Sequence, residues 1–341
     1  IFALAMLAAC GPSRNRPDSG GGGNGDSGSN NSCSATMCSA DLHNILDCDG
    51  NVVSTCPADQ GCSAGACVPA CQSAADNKSS IGCDYYSVDP DIIAEGTGAC
   101  FAAYIANTWG SPVAITVERG GTQLPIDGFA RVPTGQGQAI TYAPLTNGML
   151  QPGQVAILFL ARFGSTLTSC PTGVTPAVTA TDAAVHGTGL GQAFHITTSA
   201  PTVAYDIFPY GGGASAATSA TLLLPTSAWD VNYVGVDAFR KSQIVAQAQP
   251  FIELVGQEDG TNVTIRPTVA IVGGNGVAPG AQVANTSYTL NKGQILQFTQ
   301  DAELNGSPIT AYKPGGLGGV ETCLSIEVSE AACDSPDQGM P

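Results

Sequence analysis

Eight of the thirteen cysteines fall between residues 33 and 83, and this clustering constrains the fold more than any other feature of the chain. Cys33, Cys38, Cys48, Cys56, Cys62, Cys67, Cys71 and Cys83 are separated by short turns such as Asp49-Gly50 and Ala64-Gly65, with few large apolar residues between them. So small a segment cannot bury enough surface to fold unaided, and disulfides must stabilise it. Four bridges would contribute about 2–4 kcal/mol each. Zinc sites of this size use C-x-x-C knuckles, which the chain lacks, and only His43 lies nearby. No metal and no cofactor are therefore expected, and the compartment should be oxidising and extracytoplasmic.

The odd cysteine has its own context. Residues 1–10 (IFALAMLAAC) are apolar, uncharged and too short to span a bilayer as a helix, which takes about 20 residues. They read as the end of a signal peptide that begins upstream. Leu7 to Cys10 followed by Gly11 resembles a bacterial lipobox, which implies acylation of Cys10, a membrane partner through that lipid and, because Gly11 is not Asp, the outer membrane. Residues 11–32 (GPSRNRPDSGGGGNGDSGSNNS) have no apolar side chain able to seed a core and read as a flexible tether. The cysteine-rich module then spans 33–83 and a larger domain 84–341.

That larger domain reads as all-β. Runs such as PVAITV (112–117), QVAILF (154–159), TVAYDI (202–207), FIELV (251–255) and NVTI (262–265) are separated by Gly, Pro, Asn and Asp turns. Only 237–249 has some helical character. The domain also repeats itself: Asn107–Ile115 aligns with Gln257–Ile265, Leu150–Gln154 with Leu290–Gln294, and Ile196-Thr197 with Ile309-Thr310, in the same order. Two β units with different insertions follow, packed as β-sandwich-like layers or, alternatively, as propeller-like blades.

Read together, FHITTSAPTVAYDIFPYGGG (194–213), SATLLLPTSAW (219–229), NYVGVDAF (232–239), IELVGQEDGTNVTI (252–265), LNKGQILQF (290–298) and GSPITAYKPGGLGG (306–319) resemble the IgGFc-binding protein N-terminal domain family, found also in bacterial surface lipoproteins. The resemblance covers about residues 100–341. It implies binding or adhesion at a cell surface, toward a protein or glycan ligand, and a last unit that continues past Pro341. Gly315 departs from the family's Val in the last repeat. Four cysteines remain for the β domain, and the expected pairs are Cys100 with Cys170 and Cys323 with Cys333.

Charge excludes one partner class. With 27 acidic against 11 basic residues and a formal charge of −16, the chain lacks the cations that would displace counterions from nucleic acid. Chemistry is sparse. The three histidines, His43, His186 and His195, read as structural, and no G-x-S-x-G elbow occurs. Glu258 and Asp259 are the acids of the competing reading, a secreted carbohydrate-active enzyme; a purely structural envelope component is the third. Tyr205, Phe208 and Tyr210, aromatics beside the Gly211–Gly213 run, read either as a contact patch or as a buried strand end. The leading expectation is a non-enzymatic surface lipoprotein.

Overall fold

The structure, a computed structural model, describes residues 36–90, 96–164, 168–211, 218–237, 240–243 and 248–312, with the backbone of 324–327. The chain divides into two compact units, Ile1–Ser34 and Ala35–Pro341, and every described residue belongs to the second. The signal peptide, Cys10, the tether and Cys33 thus lie outside the described residues, as do Cys323 and Cys333.

The cysteine-rich part holds a small sheet of β1 (Met37–Cys38), β2 (Asn44–Leu46) and β3 (Val52–Thr55), then a hairpin of β4 (Gln60–Ser63) and β5 (Ala66–Pro69). Helix α1 (Ala70–Asn77) follows, although the sequence offered no helical signal there, and it leads to β6 (Gly82–Ser87). Ala70, Ser73 and Ala74 form its buried stripe, and Lys78 ends it in the left-handed conformation with its N–H donated to the Ala75 carbonyl. The stripe packs on Leu42, Trp109, Val113 and Ala200, so the cysteine-rich part is seated on the larger β structure. Trp109 fixes this contact by packing against the His43 ring, tilted by 36° at 4.2 Å, and donating from Nε1 to the Ala58 carbonyl at 2.8 Å. The described residues of 237–249, which have some helical character but no clean cap, form no helix.

The first sandwich contains β7 (Phe101–Ala106), β8 (Val113–Arg119), β9 (Thr122–Gln123), a single-turn helix α2 (Ile126–Phe129), β10 (Ala130–Thr134), β11 (Thr141–Pro144), β12 (Met149–Leu150) and β13 (Val155–Ala161). After β14 (Gly189–Gln192) comes the long β15 (Phe194–Phe208), and then β16 (Ser219–Leu223). Phe194–Thr198 of β15 pair with β8 and β6, whereas Val203–Phe208 pair with β7 and β16. The pairing register shifts between these halves, and β15 joins both flanks of one ten-stranded sheet, so Phe194 and Phe208 flank Phe101 at 6.2 and 6.3 Å. Alternation along β15 sends Ile196, Ala204 and Phe208 into a core shared with Phe101, Ile105, Val117, Leu150 and Leu158.

The second sandwich contains β17 (Asn232–Val234), β18 (Phe251–Gly256), β19 (Thr261–Ile265), β20 (Thr286–Leu290), β21 (Gln294–Thr299), β22 (Pro308–Tyr312) and β23 (Leu324–Glu327). Its sheets run β14-β21-β18-β23 and β17-β22-β19-β20. Ile252, Leu254, Leu296 and Phe298 of one sheet meet Val263, Ile265, Leu290 and Ile309 of the other. Each such fully buried side chain contributes about 1.5–3 kcal/mol. The fold is all-β: the first repeat is one ten-stranded sheet curled over its own core, and the second is two four-stranded sheets packed face to face.

Pairing makes the internal repeat explicit. Leu150 pairs with Val113 and Leu290 with Thr261; Thr197 pairs with Thr116 and Thr310 with Thr264. Strand β8 thus corresponds to β19, and β15 to β22 followed by β23. Val113 occupies the place of Thr261, not of Val263, so the alignment expected from sequence moves by two residues. The connection before β8 is longer than the one before β19, and a two-residue slip keeps the same side chains facing inward, which hid it in the pattern. No helix among the described residues is long and apolar enough to cross a membrane.

Candidate functional site: the seam between the sandwiches

The cysteines come first because they hold the surrounding elements. Cys38–Cys62, Cys56–Cys67 and Cys71–Cys83 bridge the cysteine-rich part, and Cys48 is disulfide-bonded as well. Cys71–Cys83 ties α1 to β6. Cys100–Cys170 fastens a strap over the outer face of β7 and β13, where the amides of Ala177 and Val178 donate to the Phe159 and Leu160 carbonyls. No group of three or more His, Cys, Asp or Glu side chains among the described residues could hold a metal ion.

The contact patch that Tyr205, Phe208 and Tyr210 would make does not form. Only Tyr205 faces solvent, 41% exposed beside Leu222; Phe208 turns inward and Tyr210 is buried beneath the strap. Strand alternation separates Tyr205 from Phe208. Tyr210 packs edge-on against Phe159 at 4.9 Å and its hydroxyl pairs with that of Tyr142 at 2.9 Å.

A different set of residues converges at the seam. Across β6, β15 and β8, Tyr86, His195 and Glu118 lie in one row. His195 stacks on Tyr86 at 4.5 Å, with its Nε2 2.9 Å from Asp84 Oδ1, and Trp229 packs against the Tyr86 ring at 5.4 Å. Tyr86, Val88, Val185, Ala193, Trp229, Val255 and Ile295 form the apolar joint between the sandwiches. Gln297 closes it by donating from Nε2 to the carbonyls of Val185 and Gly187, both at 2.8 Å. His186, on the same segment, pairs with Asp182 at 3.0 Å, and His43 serves the Trp109 contact, so neither faces the seam cleft.

Beside this joint opens a cleft of about 310 Å³. Glu118, Gly120 and Gly121 of the first sandwich form one wall; Gln192, Asp259, Asn291 and Lys292 of the second form the other. Asp259 Oδ1 accepts the Lys292 amide at 2.9 Å, which holds the two turns together. Glu258, the other acid expected to act with Asp259, does not line the cleft; its carbonyl accepts from Thr261 Oγ1. Burial, followed by the fields of Asp84, Glu118 and Asp259, pushes the Tyr86 hydroxyl's ionisation upward. It is therefore protonated and available as a donor at neutral pH.

Residues 219–341 match the IgGFc binding protein family. The match takes in β16 and strands β17 to β23, including Asp259, Asn291 and Lys292 of the cleft, whereas Glu118 and Gln192 come from the part before it. No curated protein and no solved structure matches the chain. Among the cleft residues, Asp259 was legible as a candidate in the sequence, whereas Glu118 and Gln192 were not. The repeat was the signal that could have brought the two sets together, because it places the end of β8 beside the sheet that continues into β14.

Proposed function

We propose that this chain is a lipid-anchored, non-enzymatic binding or adhesion protein of the outer cell surface. The observation that carries this reading is the IgGFc binding protein match over the second sandwich. Two further features support it. The disulfides need an oxidising compartment, and the acidic balance of the chain suits a protein or glycan ligand better than nucleic acid. The lipid on Cys10 supplies the membrane attachment, and the ligand-binding surface belongs to the β-sandwiches.

The test uses cells expressing the chain with its native leader. Fatty-acid labelling should mark the parent protein and be lost in Cys10→Ala. Cells bearing the protein should adhere to surfaces coated with IgG Fc or with a secreted glycoprotein more than cells lacking it. Adhesion on both coatings no greater with the protein than without it would defeat the binding reading, and labelling of Cys10→Ala equal to the parent's would defeat the anchor.

A further inference from the structure

Four of the chain's nine tyrosines converge on the outer face of the first repeat, apart from its core. Tyr205 is 41% exposed and lies directly opposite Tyr104 across β15 and β7, which sets their Cβ atoms about 5 Å apart. The Tyr104 ring stacks on Tyr210 with 6.2 Å between centroids. Tyr210 meets Tyr142 of the edge strand β11 hydroxyl to hydroxyl, at 2.9 Å and with the ring planes 69° apart. Phe159 packs against both rings, 5.8 Å from Tyr142 and 4.9 Å from Tyr210, and the Tyr210 amide donates to the Cys100 carbonyl at 2.7 Å. The pair is therefore held in place, with Tyr210 buried and Tyr142 half-buried. This contact has the geometry that precedes ortho coupling of phenols. The new bond joins the ring carbons next to those that carry the hydroxyls, so the product holds its hydroxyls side by side and its rings twisted about the bond. Tyr142 and Tyr210 meet both conditions, whereas Tyr104 and Tyr210, with planes 28° apart, lie face to face. Burial, followed by the hydrogen bond to Tyr142, pushes the Tyr210 hydroxyl's ionisation upward, so at neutral pH its proton leaves only when the ring is oxidised.

We propose that Tyr142 and Tyr210 form an oxidative modification site, where a one-electron oxidant of the peroxidase class, driven by hydrogen peroxide, couples them into dityrosine. Each phenol gives up one electron and its hydroxyl proton. The two phenoxyl radicals join through a carbon–carbon bond between ortho carbons, and the two ortho hydrogens move to the oxygens as the rings regain aromaticity. The two electrons and two protons reduce one hydrogen peroxide to two waters, so two phenols and one peroxide give one dityrosine and two waters. The oxidant reaches half-buried Tyr142 directly, and the radical passes to Tyr210 through the contact between their hydroxyls. The disulfide beside the pair calls for an oxidising compartment, which suits this chemistry. The cross-link ties β11, at the edge of the sheet, to the corner that follows β15 beneath the strap, joining positions 68 apart in the chain. It does not depend on what the protein binds.

Treating the full chain with a haem peroxidase and hydrogen peroxide, then separating monomer from cross-linked oligomer, tests this. Dityrosine fluorescence should appear in the monomer, and mass spectrometry after proteolysis should find one peptide pair joined through Tyr142 and Tyr210. Tyr142→Phe and Tyr210→Phe, which keep the rings and remove one hydroxyl each, should lose the monomer's signal. Tyr205→Phe is the control, because Tyr205 is the more exposed side chain but has no such partner; it should leave the cross-link in place. Coupling governed by exposure alone would instead join Tyr205 between molecules, and finding the cross-link there overturns the proposal. Absence of dityrosine from the treated parent overturns it too, as does an undiminished monomer signal in Tyr142→Phe. The peptide assignment is made on the parent protein, so the proposal stays open to refutation even where a variant fails to fold.

Discussion

Asp206 shows how one residue can set the pH response of the first sandwich. Because β15 joins both flanks of one sheet, this carboxyl enters the core and meets Ser87 Oγ across it at 3.5 Å. Burial pushes its pKa from the ordinary 3.8 up to about 7, against the smaller opposing effects of the Ser87 and Thr221 hydrogen bonds. The unfolded chain releases this proton near pH 4, whereas the native state keeps it until about 7. Between these values the native state binds more protons, so stability falls as pH rises, at up to about 1.4 kcal/mol per pH unit. Asp206→Asn removes that loss. Urea denaturation should show the variant gaining on the parent between pH 4 and pH 8 by at least about 1 kcal/mol; an equal difference at both ends would mean that Asp206 is ionised in the fold. Sequence alone placed Asp206 on a strand, but the burial that shifts it depends on Ser87 arriving from β6.

At the scale of elements, β-strands were legible and the strap was not. Runs of β-forming residues bounded by turn residues marked β13, β18 and β19, which are buried along most of their length. Helix α1 was missed because its stripe is Ala, Ser and Ala, too small to give an apolar signal; it is stable because it packs against Leu42 and Trp109 and is bound to β6 through Cys71–Cys83. The strap is held by Cys100–Cys170, which closes a loop spanning 70 positions. Chain entropy gives such a closure about 4 kcal/mol. The paired substitution Cys100→Ser with Cys170→Ser should therefore lower stability by roughly 2–5 kcal/mol and uncover the Phe159 and Tyr210 face to a hydrophobic dye. An unchanged melting temperature with no added dye binding would show that the strap's backbone hydrogen bonds suffice.

Across the whole molecule, the seam couples the two repeats. Replacing Gln297 with Leu would remove the amide that donates to the Val185 and Gly187 carbonyls, at a cost of about 1–3 kcal/mol. The loss falls on the joint rather than on either core, so the parent should unfold in one transition and Gln297→Leu in two. Trp229 lies in the joint and reports its opening once the chain's only other tryptophan, Trp109, is replaced by Phe. A single transition at lower urea would assign Gln297 to the second sandwich alone.

The amino-acid sequence by itself determined the β class, the need for disulfides and the existence of the repeat, since each is written in local spacing: alternation, cysteine clustering and recurring segments. The tertiary structure alone decided the rest. It chose the two-residue register between repeats, because slips of one pleat period look alike in a pattern, and it buried Tyr210 beneath a strap whose far cysteine is distant in the chain. It also set Glu118 opposite Asp259, beside a seam that neither repeat possesses alone. Such convergence depends on which faces pack together, and local spacing carries no record of that.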